Sequence, residues 1–342
     1  MTTTTGTDFA RVAALQERTH NLCTPVLREW VQRLPDPLRH MAGYHYGWWD
    51  STGAPVRGSS GKSLRPMLVF ATAVACGAAE GPAVPAAVAL QLVHDFSLIH
   101  DDVLDGDHTR RGRATVWSIW GVADAILLGD ALHALAIQVL SAGLPAQIAG
   151  EALARLEAAV IEMCRGQCED CRFEVSPTVG IDDYVRMAAG KTAALMGCAC
   201  ALGALCAGAD ARTVDAMDAF GRELGLAFQF VDDVLGIWGD PTITGKPVGG
   251  DIARRKRSLP VVAALAADTD EAAELSRMYR SDGTLDPSAI TRATMLIELT
   301  GGKETAEQRA AQQIAAALAL LPEQPSTGDL TALAQMIGRR DR

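Results

Sequence analysis

Several things are scarce in this chain of 342 residues, and each scarcity removes a class of protein. No stretch alternates polar and apolar residues for long enough to build a half-buried strand, which excludes a sheet-based core. Positive charge is in deficit, with 31 Lys and Arg against 41 Asp and Glu and a net charge of −10. That balance argues against nucleic acid as the main partner. Behind Met1 runs Thr-Thr-Thr-Thr-Gly-Thr and then a charged amphipathic stretch, with no apolar core of the secretory kind, so the expected location is the cytoplasm. The longest uncharged run, Ala193 to Ala209, falls short of the roughly 20 residues of a membrane span, and no transmembrane segment is expected. The eight cysteines lie mostly in apolar or helical surroundings and read as buried thiols in a reducing compartment.

What the chain has is helical periodicity. Hydrophobic residues make up 49% of it and charged residues only 21%, enough to build a large core. Apolar positions recur at three- and four-residue spacing over Gln16–Leu34, Ser63–Cys76, Pro82–Val103, Ser118–Ser141, Ala146–Phe173, Ile181–Ala207, Ala211–Trp238, Leu259–Ala267, Asp270–Arg280, Pro287–Leu299 and Lys303–Leu321. The fold class is therefore all-α, a bundle of long helices. No low-complexity linker separates two cores, so residues 16–342 are expected to form one domain behind a flexible segment, 1–15.

Two loops stand out against the helical background, Asp105 to Thr115 and Gly239 to Arg257. Each gathers glycine and base, and each follows a helix that ends in paired aspartates. In the first, Asp101 and Asp105 stack one turn apart, about 6 Å along the axis, while Asp102 points roughly 100° away. Stacked carboxylates repel, and a cation offsets the cost. Oxygen ligands without a His or Cys set suit Mg²⁺, which takes one or two carboxylates and completes its shell with substrate phosphates. A solvated helix end is the alternative for one such pair alone. The second pair, Asp232 and Asp233, is followed by Lys246, Asp251, Arg254, Arg255, Lys256 and Arg257, while Arg110 and Arg111 follow the first. Acid then base at two helix ends describes a site for metal and phosphate together, because guanidinium forks bind phosphate bidentately.

Seven ordered motifs, GKSLRP (61–66), HDFSLIHDDVLD (94–105), RRG (110–112), GQCED (166–170), GKT (190–192), FQFVDD (228–233) and GKPVGGD (245–251), resemble those of the trans-isoprenyl diphosphate synthases, the polyprenyl synthetase family, most like its geranylgeranyl diphosphate synthases. The resemblance implies the isoprenoid synthase fold, with its helices around a deep central cavity, and a Mg²⁺-dependent prenyltransferase that joins isopentenyl diphosphate to an allylic diphosphate (dimethylallyl, geranyl or farnesyl) and works as a homodimer. It implies two Mg²⁺ ions at Asp101 and Asp105 and a third at Asp232, with Asp102 and Asp233 supporting them. Arg110, Lys191 and Lys246 would grip the allylic diphosphate, and Lys62, Arg65, His94 and Arg111 the isopentenyl diphosphate. Thr192 and Gln229 would line the reaction centre, with Gln167, Asp170 and Lys256 nearby.

The second motif departs from the family, since Gly236 stands where a third aspartate usually follows Asp232 by four residues. That gap keeps two rivals open, a terpene cyclase on the same scaffold and a non-catalytic subunit of a heteromeric synthase. Phe96 and the small Ser97, one turn before Asp101, set the expected pocket floor and point to a C20 product; ordinary core packing of Phe96 is the alternative. Cys164, Cys168 and Cys171 share a helix face without a fourth zinc ligand and read as core or half-buried thiols. Asp182 and Asp183 read as helix-capping acids. The cluster Tyr44, Tyr46, Trp48 and Trp49 packs either the N-terminal helix or a subunit interface.

Overall fold

Apolar residues three and four apart wind nearly all of the chain into helix, in a computed structural model that describes residues 4–56, 63–176, 178–240, 248–281, 283–322 and 325–339. In chain order these helices are α1 (Thr4–Val31), α2 (Leu38–His45), α3 (Leu64–Ala75), α4 (Val84–Leu104), α5 (Val116–Trp120), α6 (Val122–Gly143), α7 (Ala146–Val175), α8 (Ile181–Ala188), α9 (Ala194–Cys206) and α10 (Ala211–Trp238). The series continues with α11 (Gly250–Ala253), α12 (Leu259–Leu265), α13 (Asp270–Arg280), α14 (Pro287–Leu299), α15 (Gly302–Ala319) and α16 (Gly328–Ile337). Among the described residues the only strands are β1 (Thr109–Arg110) and β2 (Arg113–Ala114), an antiparallel pair. The fold is all-α, as expected.

Contacts group the chain into two units. One comprises Met1–Val160, Cys198–Asp218 and Pro322–Ala332; the other comprises Ile161–Gly197, Ala219–Leu321 and Leu333–Arg342. Most of these boundaries fall inside helices α7, α9, α10 and α16 rather than in linkers.

In the first unit α4 lies along α6, and α1 and α3 pack on α4. Small side chains make this possible: Ala86, Ala87 and Ala89 on α4 and Ala125, Gly129 and Ala136 on α6 are all buried. Leu128, Leu132, Leu135 and Val139 supply the apolar stripe of α6, and truncating one such leucine to alanine costs about 2–5 kcal/mol. Helix α1 begins at Thr4, well before Gln16, where residues 1–15 were expected to be flexible. Val12 and Leu15 are buried, and Arg11 and Arg18 each donate to Asp329 at 3.0 Å. The expected helix Ser118–Ser141 is broken at Gly121, whose φ of 95° lies in the left-handed half of backbone space.

In the second unit α12 packs on α15 and α8. Tyr184, Phe230, Leu259 and Val262 form one buried cluster, and Ile237, Ile252, Leu275, Leu296 and Ile297 another. A turn of π-helix, Ala189–Ala193, joins α8 to α9.

By length and composition three helical stretches could cross a membrane: Gly81–Leu104, Val122–Gly143 and Ile181–Cys206. Their apolar windows are 61%, 44% and 83% buried within the protein. The least covered is α6, where Val122 and Leu127 are exposed. None of the cysteines is in a disulfide; Cys23, Cys198 and Cys200 are buried. Cys171 is half-buried, within the expectation of core or half-buried thiols on that face, whereas Cys164 and Cys168 are exposed and depart from it.

Candidate active site

In the first unit the last turn of α4 sorts its aspartates by exposure. Asp102 points inward and is 2% exposed, Asp101 is half-buried and Asp105 is exposed. This is the separation that a 100° helical step imposes. Asp102 accepts from Arg110 Nε at 2.6 Å. Burial raises its pKa, and the Arg110 charge pulls the other way. The arginine is thereby held in place by a carboxylate that water hardly reaches.

One turn and more earlier on α4, His94 sits within electrostatic reach of Arg65, Arg111 and Arg110. Burial and those guanidiniums drive its pKa well below the ordinary imidazole value, although Asp95 counteracts them. A neutral His94 offers a hydrogen-bond donor without another positive charge. Asp95 is itself buried; burial works against its charge, but His45 (3.2 Å) and Gln91 (2.7 Å) hold its pKa below the usual range. Tyr44, His45, Asp102, Arg110, Arg111 and Arg113 line a cavity of about 230 Å³. Phe96 is buried, its ring 5.5 Å from that of His100 and 5.3 Å from that of His133, and Ser97 Oγ donates to the His94 carbonyl at 2.8 Å. Behind the ring, His133 Nε2 lies 3.0 Å from Glu157.

In the second unit the π-helical turn carries Gly190, Lys191 and Thr192 past α7 at close range. A Cβ on Gly166 would stand 2.2 Å from the Lys191 nitrogen, so only glycine fits. π-turns of this kind collect at functional sites because the extra residue redirects side chains. Lys191 Nζ bonds Asp170 at 2.5 Å. Burial opposes the Asp170 charge, yet Lys191 and Lys256 hold its pKa below the usual value. Gln167 Nε2 lies 3.7 Å from Cys171 Sγ.

Thr192 Oγ1 donates to Gln229 Oε1 at 2.5 Å, and Gln229 Nε2 donates to Asp233 Oδ1 at 3.0 Å. Asp233 Oδ2 accepts from the Tyr184 hydroxyl and from Leu259 N at 2.7 Å. Burial pushes the Asp233 carboxyl up to about 6, against the pull of the Lys256 charge and of its hydrogen bonds. Asp232 is half-buried. Asp182 and Asp183 occupy the first turn of α8, with Asp183 accepting from Gly180 N at 3.2 Å, the capping role read from the sequence.

Two residues mattered here that sequence reasoning gave no role. Tyr184 holds Asp233 from 49 residues away. Asp251, on α11, places its carboxylate against Gly236: a Cβ there would lie 2.1 Å from Asp251 Oδ2. The only sequence signal was the position of Asp251 at the end of GKPVGGD. Lys62 and Lys246 lie outside the described residues.

No group of three or more His, Cys, Asp or Glu among the described residues is assembled to hold a metal by itself. The donors present are oxygens in small sets, which fits Mg²⁺, an ion that keeps its waters and uses substrate phosphates as ligands.

The Polyprenyl synthetase family model matches residues 52–297. The chain is 53% identical over 328 residues to the geranylgeranyl diphosphate synthase of Mycobacterium tuberculosis, covering 96% of this chain and 94% of that one. It is 41% identical over 326 residues to the (2E,6E)-farnesyl diphosphate synthase of the same organism, covering 93% and 90%. A polyprenyl synthetase from Streptomyces coelicolor A3(2), solved by crystallography, matches with a TM-score of 0.90 and 43% identity over 95% of this chain and 99% of that one. The chain belongs to the polyprenyl synthetase family. It is a chain-elongating prenyltransferase of isoprenoid biosynthesis with the all-α fold of that family.

Proposed function

We propose that this enzyme condenses isopentenyl diphosphate with an allylic diphosphate (dimethylallyl, geranyl or farnesyl) and releases geranylgeranyl diphosphate. The observation that carries the reading is the division of labour in both aspartate pairs. Asp102 and Asp233 are buried and hydrogen-bonded, each beside a more exposed partner on the same helix. Asp101 and Asp105 would hold two Mg²⁺ ions and Asp232 a third, with Asp251 standing in for the acid that Gly236 lacks. Bound there, Mg²⁺ neutralises the charge that grows on the departing diphosphate.

Arg110, Lys191 and Lys246 bind the allylic diphosphate and Lys62, Arg65, His94 and Arg111 that of isopentenyl diphosphate. The allylic C–O bond breaks with its electron pair going to the diphosphate. The isopentenyl π electrons then form the new C–C bond, and a proton passes from the adjoining carbon to the released diphosphate. Fixed cations and oriented dipoles serve this chemistry because charge separates while no protein nucleophile is needed. Thr192 and Gln229, locked by Asp233, present oxygen dipoles to the cation, and Asp170 fixes Lys191 beside them, with Gln167 and Lys256 binding substrate nearby. Residues 16–342 act as one catalytic domain in a cytoplasmic homodimer, with the exposed apolar face within Ser118–Leu140 as its interface.

Phe96 closes the pocket floor and sets the C20 length. The test is incubation of pure protein with Mg²⁺, isopentenyl diphosphate and farnesyl diphosphate, followed by extraction and dephosphorylation. Geranylgeraniol is expected; a cyclised hydrocarbon or no product overturns the reading. Phe96→Ala should lengthen the main product, and unchanged chain lengths would refute the floor assignment.

A further inference from the structure

The loop that carries Arg110 and Arg111 is a hairpin of the tightest kind. Arg110 pairs with Arg113 and Thr109 with Ala114, so Arg111 and Gly112 alone make the turn, with φ of 53° and 73°. Two left-handed residues in succession give the turn whose twist matches paired strands. Glycine adopts that conformation freely, whereas an arginine stays there only where its surroundings hold it.

Two struts do the holding. On β1, Arg110 is tied to Asp102. On β2, Arg113 forks to two main-chain carbonyls, that of Tyr44 at 2.8 Å and that of Trp49 at 3.1 Å, and its guanidinium lies 4.2 Å from the centroid of the Tyr44 ring. The Tyr44 hydroxyl returns the contact by donating to the Ala114 carbonyl at 2.8 Å. Tyr44 is buried, and its ring meets Trp120 edge-on at 5.0 Å. The Trp49 indole is fixed in turn by donation to the His40 carbonyl at 2.8 Å. Tyr44, in the last turn of α2, and Trp49 just beyond it are therefore a seat for this hairpin. Among the described residues no carboxylate pairs with Arg113.

We propose that Arg113 and Tyr44 are positioning residues, a clamp that holds the hairpin so that Arg111 is presented to the diphosphate of isopentenyl diphosphate. This rests on the role given to Arg111 above. A planar fork matched to two carbonyls and stacked on a ring is a task that lysine does not perform.

Steady-state kinetics of Arg111→Gln, Arg113→Gln, Arg113→Lys, Tyr44→Phe and the double variant Arg111→Gln/Arg113→Gln test it, with thermal unfolding measured on each. Arg113→Gln should raise KM for isopentenyl diphosphate about tenfold, the effect of losing charge-assisted bonds, and leave kcat at saturation nearly unchanged. Arg113→Lys should not restore it, and the double variant should bind no worse than Arg111→Gln alone. Tyr44→Phe keeps the ring and loses only the bond to Ala114, so it tests the clamp even where the Arg113 variants fold poorly; its KM should rise less, in the same direction. If Arg111→Gln raises KM while Arg113→Gln and Tyr44→Phe do not, the clamp is overturned and the substrate site stands. If Arg111→Gln itself leaves KM unchanged, the reading of the site falls and the clamp with it. Full rescue by lysine, or additive losses in the double variant, would make Arg113 a direct charge on the substrate and overturn positioning.

Discussion

The two aspartate pairs end similar helices, but their buried members differ in what bonds them directly. Asp102 is answered by a full charge, the Arg110 guanidinium. Asp233 takes its direct hydrogen bonds from three neutral donors, Tyr184, Gln229 and the Leu259 amide, with the Lys256 charge acting from farther off. The first arrangement fixes a cation and so prepares a place for an anion. The second fixes the amide of Gln229, whose free choice of orientation is removed because its nitrogen must face Asp233 and its oxygen Thr192. One pair is thus built to aim charge, the other to aim a dipole, and the same two-residue motif reports neither difference.

The strongest test of whether the pairs nevertheless share a task is to remove their exposed members. Asp101→Ala and Asp232→Ala should each lower kcat about 10²–10³-fold, the scale of losing one stabiliser of developing charge, with folding intact by circular dichroism. Near-normal turnover in Asp232→Ala would break the parallel and leave the second pair without a metal role.

Restoring the missing acid should do harm rather than good. Gly236→Asp would drive a side chain into the Asp251 carboxylate, adding overpacking of about 1–3 kcal/mol and like-charge repulsion. Lower urea resistance and lower activity are expected, both relieved in part by Asp251→Gly in the same chain. A more active Gly236→Asp would show that Asp251 does not fill that place.

Much of this was legible because it is local. The i, i+4 spacing of Asp101 and Asp105 and the helical stripes follow from geometry within one element, and so did the capping acids of α8. What escaped depends on residues far apart in sequence. Nothing near Gly236 says that Asp251 covers it, and nothing in Tyr44-His-Tyr or Thr-Arg-Arg-Gly-Arg says that one seats the other. The start of α1 escaped for the same reason, since Val12 and Leu15 have neighbours to bury them only once the unit has formed. The π-turn at Lys191 came from close approach at Gly166, again a contact rather than a pattern.

Replacing the buried acids sharpens the contrast at smaller cost. Asp233→Asn faces three donors with an amide that has only one accepting oxygen, so at least one bond is lost and stability should fall about 1–3 kcal/mol by urea unfolding below about pH 5, where the wild-type acid is also uncharged. Asp102→Asn keeps an acceptor for Arg110 through its oxygen and should lose less stability, but it loosens the arginine and should raise KM for the allylic diphosphate. Equal stability losses in the two variants would erase the distinction between charge-held and dipole-held carboxylates.

The smallest expected effect is a change in pH dependence. The Asp233 carboxyl titrates at about 6 in the folded protein against an ordinary 3.8, so between those values the native state binds more protons than the unfolded one. Stability contributed by the protonated acid is complete below about pH 4 and is lost as pH rises through 6, by about 3 kcal/mol in total. The Tyr184 hydrogen bond opposes the upward shift. Tyr184→Phe should therefore move the titration higher and make the ionised state costlier. Urea unfolding of the metal-free, substrate-free enzyme from about pH 4 to above neutrality should show the deficit of Tyr184→Phe growing as pH rises through about 6 and levelling above the variant's own, higher pKa. Asp102, whose pKa is also raised, contributes a slope of the same sign, but it is common to both proteins and cancels in the difference. A deficit of the same size at pH 4.5 and pH 7.5 would mean that Tyr184 supports Asp233 by packing alone.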